Sequence, residues 1–538
     1  MSAPIHTDAN PRWLKLSVGA LILCGVFLRF YHVDHKAFWD DEAVTWLHIQ
    51  GMYEGEVVTQ AANFHSAEDL HAVLHPPTGL RPISAIIRPM SVEDPQHSPL
   101  YYLLAHVWIT WFGDSVAAVR TLSVIFGVLA IPCMYWLCAE LFGSAAAGWA
   151  GAALLATGPI EVLYSQEARE YSLWLLSMLV SSALFLRAMR LGTMRAWGAY
   201  SLALAVGMYI FPLSALVAAS HAIVALGACL PMRRKLHALG AMALAGLLFV
   251  PWFLIIVRKM ADINASMPGI VAGTSSRLGT LWRTLTLMRL EIIDWDGAYR
   301  LFVLGATLPI AGLLLLAIYD VRRQSSRVTR LFIWALLGSI AVPLIGLDLA
   351  LGGHRVETAR YFTPMFLALD LCLAALIARQ LSAENQPLLR AIWTGIIVIV
   401  FALRISSSAM SAQATTWWNS YHMRSHEVAA QINASRHPLV ISDDYVLWPL
   451  VLSEYLAADT EVALRPRCYQ CKIPKDTAWP QVDIAAGGVP RSVFMIAPSP
   501  ALQAAVRAQV REPGVVVVNC INVHDACPGG IDLWSSDK

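Results

Sequence analysis

The residues best suited to chemistry are three consecutive acids, Asp40, Asp41 and Glu42, in the stretch "HKAFWDDEAVTWLHIQG" that follows the first apolar run. Charge at a membrane face is expensive unless it is solvated or used. Phe38, Trp39 and Trp46 flank the acids, and such aromatics hold a segment at headgroup level. A carboxylate kept in partly desolvated surroundings has a raised pKa and can act as a general base. The alternative is the solvated start of a loop. Other polar groups recur next to apolar runs: His97 and Tyr101 in "QHSPLYYLLAHVW", Glu167, Arg169 and Tyr171 in "YSQEAREYSLW", and His354, Arg355 and Arg360 in "HRVETARYFTPM". Guanidinium groups grip phosphate oxygens in pairs, so cations gathered near a carboxylate would make a phosphate clamp beside a base. For any single arginine, and for Arg355 in particular, snorkelling or a structural ion pair is the competing reading.

Such groups must be held by a membrane scaffold. The chain has 538 residues, 57% hydrophobic and 14% charged, against roughly 25% charged in soluble domains. Runs long enough to cross a bilayer extend over Trp13–Val33, Ala118–Leu141, Ala145–Tyr164, Tyr171–Met189, Ala238–Val257, Leu301–Tyr319, Leu331–Leu351, Tyr361–Ile377 and Ala391–Ser406. A longer run, Trp197–Leu230, contains Pro212 and is read as a hairpin of two helices. The expectation is an α-helical polytopic protein with about eleven spans. Basic connectors at Arg187–Arg195, Arg233–Lys235 and Asp320–Arg330 face the cytoplasm by the positive-inside rule. This holds if Ser98–Phe112 is a juxtamembrane or re-entrant helix. The acids, the "SQEARE" connector, the "GGHRVETAR" loop and the C-terminal tail then face outward.

The division expected is a transmembrane domain over 1–406, with a large first outward loop over 34–117, and a small α/β domain over 407–538. The tail alternates amphipathic runs ("SHEVAAQINASR", "SPALQAAVRAQV") with apolar β-type runs ("PLVISDD", "SVFMIAP", "GVVVVNCI"). It reads as a packing or acceptor-contacting element. The first apolar run lacks a small-residue cleavage site and reads as a retained anchor. Cys24, Cys133, Cys138, Cys229 and Cys372 lie in apolar runs as small buried side chains, whereas Cys468, Cys471, Cys520 and Cys527 in the tail are disulfide candidates. A zinc site made of these four thiolates is the alternative. The net charge of +2, with no basic run interleaved with aromatics, sets nucleic-acid binding aside.

The order "FWDDEA", a long loop, "HSPLYYLLAHVWITWFGDSVAAVRTLSVIFGVLAIPCMYWL" and then "YSQEAREYSL" resembles the bacterial protein O-mannosyltransferase and aminoarabinose lipid A transferase group (family 39-like). These are membrane glycosyltransferases of the GT-C fold that use polyprenyl-phosphate sugars. The resemblance runs from about Arg29 to Leu191 and weakly on to "ARYFTP". It implies that Asp41 is the catalytic base with Glu42 beside it, Asp40 being an additional acid. It also implies that His97, Arg169 and Arg360 contact the donor phosphate, with Tyr101, Glu167, Tyr171 and Arg355 as further candidates. Ser98 stands where many relatives have a second proline. The implied activity is inverting transfer of a sugar, hexosyl or pentosyl, from a polyprenyl-phosphate donor to a hydroxyl or amine of an extracytoplasmic lipid, glycan or protein, at the cell (inner) membrane. No cofactor is required, because the phosphate already leaves well, and no His/Asp cluster has metal-ligand spacing; a divalent cation bridging acids and phosphate is the variant. The alternatives are a ligase or polymerase of lipid-linked oligosaccharides, for which the loop Arg258–Arg300 would serve, and a lipid or sugar transporter. A transporter predicts ionisable residues along the spans, whereas here they collect at one face and Glu161 is the only acid read well inside a span.

Overall fold

Apolar runs in lipid can satisfy their backbone only as helices or closed barrels, and every run read as a span is helical. The structure, a computed structural model, describes residues 12–77, 79–266, 276–295, 297–381, 386–417, 425–468, 492–509 and 517–521. The helices, in chain order, are α1 (Arg12–Phe30), α2 (Asp40–Ile49), α3 (Glu54–Gln60), α4 (Ala67–Leu74), α5 (Ile87–Val92), α6 (Leu100–Phe112), α7 (Val116–Phe142), α8 (Ala145–Thr157), α9 (Pro159–Ser165), α10 (Tyr171–Leu191) and α11 (Met194–Ile210). There follow α12 (Ser214–Gly227), α13 (Met232–Ser266), α14 (Arg277–Arg289), α15 (Arg300–Gln324), α16 (Arg327–Leu351), α17 (Thr363–Gln380), α18 (Pro387–Gln413), α19 (Ser425–Asn433), α20 (Leu447–Ser453) and α21 (Pro500–Gln509). Among the described residues seven helices are long and apolar enough to cross a membrane, or eight with the bent pair α8–α9. Thus α11 and α12, of 17 and 14 residues, fill the predicted hairpin but fall short of a full span by length. α6 has 13 residues, about 20 Å of helix against a core of about 30 Å, in keeping with a segment that does not cross alone.

The chain forms two compact units, one of residues 1–33, 96–101 and 117–413, the other of 34–95, 102–116 and 414–538. In the first, α8 and α9 meet at 56°, because Pro159 opens α9 without an N–H to give. The end of α8 therefore leaves carbonyls without intrahelical partners in an apolar interior. Each is taken up. Arg404 Nη2 donates to Leu154 O at 2.8 Å, Arg29 Nη2 to Leu155 O at 2.7 Å, Arg29 Nη1 to Ala156 O, and Ser408 Oγ to Thr157 O at 3.1 Å. Two guanidinium groups at a helix C-terminus also meet the negative end of its dipole.

In the second unit the tail is the small α/β structure expected. Four parallel strands, β1 (Pro438–Ser442), β2 (Glu461–Leu464), β3 (Ser492–Ile496) and β4 (Val517–Ile521), lie in the order β2-β1-β3-β4. Parallel neighbours need crossovers, and α20 and α21 supply them. Leu439, Ile441, Val493 and Met495 pack on Leu502 and Val506 of α21. The first loop folds with this tail instead of with the helices as the sequence-based division has it, because it completes the tail's hydrogen bonding. Val462 N donates to His65 O at 3.0 Å and Ala67 N to Thr460 O at 2.8 Å; His65 and Ala67 flank Ser66, which bridges antiparallel to Glu461 in β2.

His75 ties three segments of this unit together. Its Nδ1 lies 2.9 Å from Asp114 Oδ2 and its Nε2 lies 2.7 Å from Glu454 Oε1. Burial acts to lower the pKa of His75, but the hydrogen bonds and charges of Asp114 and Glu454 outweigh it and raise the group from its ordinary 6.5 to about 9. The same pair holds Asp114 below its ordinary 3.8. A folded-state pKa raised above the unfolded one gives stability that is full below 6.5 and gone once the pH has risen through 9. For Asp114 the stability is present above 3.8 and is lost as the pH falls below it. In chelator-containing buffer, hydrogen exchange of α4 and α20 is therefore expected to be slow from about pH 5 to 6.5 and to accelerate towards pH 9 beyond the intrinsic pH effect. A flat profile in wild type, or one unaltered by His75→Gln, would count against this tie.

Candidate active site

The three acids occupy the first turn of α2 in the second unit. Anions at a helix N-terminus are favoured by the unpaired amides and the dipole, which gives the acids a structural role as well as an available one. Asp40 and Asp41 are half-buried, and Glu42 is buried. The preceding residues are clamped. Trp417 Nε1 donates to Ala37 O at 2.6 Å, Ala37 N to Thr415 O at 2.8 Å, and Ser425 Oγ to Phe38 O at 3.2 Å. Phe38 N donates to the Tyr455 hydroxyl at 2.7 Å. The aromatic residues expected at headgroup level are instead inside the protein. Phe38 stands edge-on to Trp46 at 5.0 Å, and Trp39 packs 6.0 Å from Trp417. All three of the flanking aromatics are buried, so protein packing holds the acids in place.

The basic and aromatic candidates gather in the first unit. Arg169 Nη2 donates to His97 Nε2 at 2.9 Å, and Glu170 lies 3.6 Å from both His97 Nε2 and Arg169 Nε. Arg360 sits 5.7 Å from the ring centres of Tyr171 and Tyr361, the geometry of a cation over an aromatic face. Since arginine can only donate, His97 Nε2 accepts in this arrangement. The connector that carries Arg169 is pinned by Gln166, whose Nε2 donates to Leu28 O and Tyr31 O, both at 2.9 Å. Tyr101 is hydrogen-bonded to Ser123 at 2.9 Å, and Ser123 Oγ donates to Arg169 O at 3.2 Å. Ser98 Oγ donates to Met208 O at 2.9 Å. The predicted break at Pro212 is real, and it turns Phe211 against Trp174 (4.7 Å), Tyr171 (6.0 Å), Tyr361 (6.0 Å) and His97 (6.2 Å).

Glu170, Tyr361 and Phe211 were missed in the sequence. Only the helix-breaking "FP" step signalled Phe211. Arg355 stands apart: its Nη1 donates to Asp348 Oδ1 at 2.8 Å and to Gly352 O at 3.0 Å, the structural pairing weighed for it above. Glu167 is buried in the connector. Of the cysteines read as buried, Cys138 and Cys372 are, whereas Cys24 and Cys133 are half-buried and Cys229 is exposed; among the tail cysteines, Cys468 is disulfide-bonded. Cys471 and Cys527 lie outside the described residues, and for Cys520 only the backbone of β4 is described.

Against the expectation that no cluster has metal-ligand spacing, two side-chain clusters among the described residues have the makings of a metal site: His71, His75 and Glu454 in the second unit, and Glu161, Glu291 and Asp370 in the first. The second is already filled by a protein cation. Arg404 Nη1 lies 2.7 Å from Glu291 Oε1 and 3.2 Å from Asp370 Oδ1, with Arg404, Glu291 and Asp370 all fully or almost fully buried. Glu161 is thus one of several acids inside the helical unit.

Residues 96–255 match the sequence profile of the dolichyl-phosphate-mannose-protein mannosyltransferase family. Solved structures with a similar fold include the apo oligosaccharyltransferase of Archaeoglobus fulgidus (TM-score 0.51, 12% identity, covering 86% of this chain and 66% of that one). Another is AglB from the same organism in complex with an inhibitory peptide and a dolichol-phosphate (0.50, 12%, 95% and 69%). ArnT from Cupriavidus metallidurans bound to undecaprenyl phosphate aligns at 0.49, with 13% identity over 95% of this chain and 93% of that one. No curated protein sequence matches the chain. These structures show the GT-C fold for the chain, and its apolar helices make it a multi-pass membrane protein. The likeness to the protein mannosyltransferase family is carried by residues 96–255, which include the motifs at His97 and Arg169.

Proposed function

We propose that the protein transfers a sugar from a polyprenyl-phosphate donor to a hydroxyl or amine of a lipid, glycan or protein acceptor, on the extracytoplasmic side of the cell (inner) membrane. The observation that carries this reading is the segment 96–255, whose family is described by a lipid-phosphate sugar donor and which contains both members of the His97–Arg169 pair. Asp41 takes the acceptor proton as the acceptor oxygen or nitrogen bonds to the anomeric carbon. The bond from that carbon to the phosphate oxygen breaks, and polyprenyl phosphate departs. Arg169, Arg360 and His97 bear the charge that builds on the leaving phosphate. A single displacement inverts the anomeric centre, unlike the paired-carboxylate retention of many glycosidases. Because the phosphate is a good leaving group, the reaction as written needs no cofactor.

The test is release of free polyprenyl phosphate when the purified protein meets a panel of polyprenyl-phosphate monosaccharides and a crude membrane acceptor extract, with and without EDTA. Release from one panel member, persisting in EDTA, is expected and would name the sugar. A folded protein that releases nothing from any donor would overturn the reading in favour of an oligosaccharide ligase or a transporter. Release abolished by EDTA would instead add a divalent cation to the site.

A further inference from the structure

His71 and His75 lie one helical turn apart at the end of α4, and their rings stack 4.4 Å apart. Side chains four residues apart share a helix face, a spacing that lets two imidazoles reach one ion. Glu454, which follows α20, brings a carboxylate to the same point. One ligand atom from each of the three lies within 4.8 Å of the others. Asp114 accepts from His75 Nδ1 at 2.9 Å, which leaves Nε2 aimed at Glu454. A carboxylate behind a ligand histidine fixes the tautomer and ring direction of metal-binding imidazoles.

We propose that His71, His75 and Glu454 bind a zinc-type divalent ion, with Asp114 as the group that positions His75. Two imidazole nitrogens and one carboxylate oxygen suit zinc and its first-row neighbours over magnesium or calcium. Around a tetrahedral ion with bonds of about 2.0–2.1 Å, ligand atoms stand about 3.3 Å apart. The His75–Glu454 contact of 2.7 Å then opens by about 0.6 Å to admit the ion, and the proton held between them leaves. His71 is exposed, so its ring can turn to the ion without repacking a core. Three protein ligands leave a fourth position for water. The ion would clip the first loop to the tail within this unit, a role separate from sugar transfer and independent of whether that transfer is confirmed.

The experiment is titration of the full-length protein, purified without a polyhistidine tag and freed of metal by chelator, with Co2+ alone. One equivalent is expected to give the intense visible bands of tetrahedral Co2+, and one equivalent of Zn2+ to remove them. His71→Ala, at an exposed position, should abolish the bands. Glu454→Gln, which can still accept from His75, should weaken binding at least tenfold. Asp114→Asn should weaken it about 10–100-fold with the bands retained at saturation. Wild type without tetrahedral bands, or bands unchanged in both His71→Ala and Glu454→Gln, would overturn the proposal.

Discussion

Asp41→Asn is expected to lower polyprenyl-phosphate release by about 10²–10⁴-fold, the usual worth of a positioned general base, with donor binding nearly unchanged. The amide has the shape of the acid and can still face the open amides of the first turn of α2, so the helix should stand. What it loses is the capacity to take a proton. Two controls separate catalysis from structure. Asp40→Asn, at the neighbouring half-buried position, should cost less than about tenfold if Asp41 is the base. Arg169→Gln should weaken donor binding as well as turnover, with Arg169→Lys recovering part of the charge but not the paired geometry. The pH profile supplies a third readout: wild type should lose activity towards acid as the base is protonated, and that limb should vanish in the residual activity of Asp41→Asn. Unaltered release by Asp41→Asn would shift the base to Asp40 or Glu42.

Much of the scaffold was legible because lipid leaves the backbone so few choices. An uninterrupted apolar run must be a helix, and Pro212 must interrupt one, so the helical segments and the break at Phe211 could be read directly. Three of the four strands were equally plain as β-type apolar runs; the fourth, "EVAL" in β2, is too short and too polar at Glu461 to stand out. The aromatic residues around the acids mark the limit of such reading. Composition says that Phe38, Trp39 and Trp46 seek an apolar partner, but not whether it is lipid or protein; here it is protein. His97 and Arg169, 72 positions apart and hydrogen-bonded, were paired only through the resemblance, because nothing local in either motif points to the other. The buried charges were hardest. Arg404 and Asp370 each sit alone in a long apolar run, and hydropathy tolerates one charge per run. Their meeting with Glu291 is a property of the packed bundle.

That meeting leads to the largest stability effect. Arg404→Met is expected to destabilise the protein by about 3–5 kcal/mol, the range for removing one partner of a buried ion pair. Arg404 serves two carboxylates and the end of a helix at once: besides Glu291 and Asp370, it donates to Glu291 O at 2.6 Å and to Leu154 O at 2.8 Å. Methionine fills a similar volume, so the loss would report charge and hydrogen bonding rather than a cavity. The reverse removals should be milder. Glu291→Gln leaves Arg404 with Asp370, and Asp370→Asn leaves it with Glu291, so neither strands a lone buried charge. The triple variant Arg404→Met, Glu291→Gln, Asp370→Asn should regain most of what Arg404→Met loses, because the two carboxylates paired with Arg404 are then neutral, and the third acid of the cluster, Glu161, keeps the charge of Arg29 near it. The part not regained measures the uncapped carbonyl at the bend of α8, about 1–3 kcal/mol for an unsatisfied buried group. Thermal unfolding in detergent can rank these variants. If Arg404→Met unfolds at the wild-type temperature, the cluster contributes nothing to the bundle; if the triple variant is no better than the single one, the helix end rather than the ion pairs is what Arg404 holds.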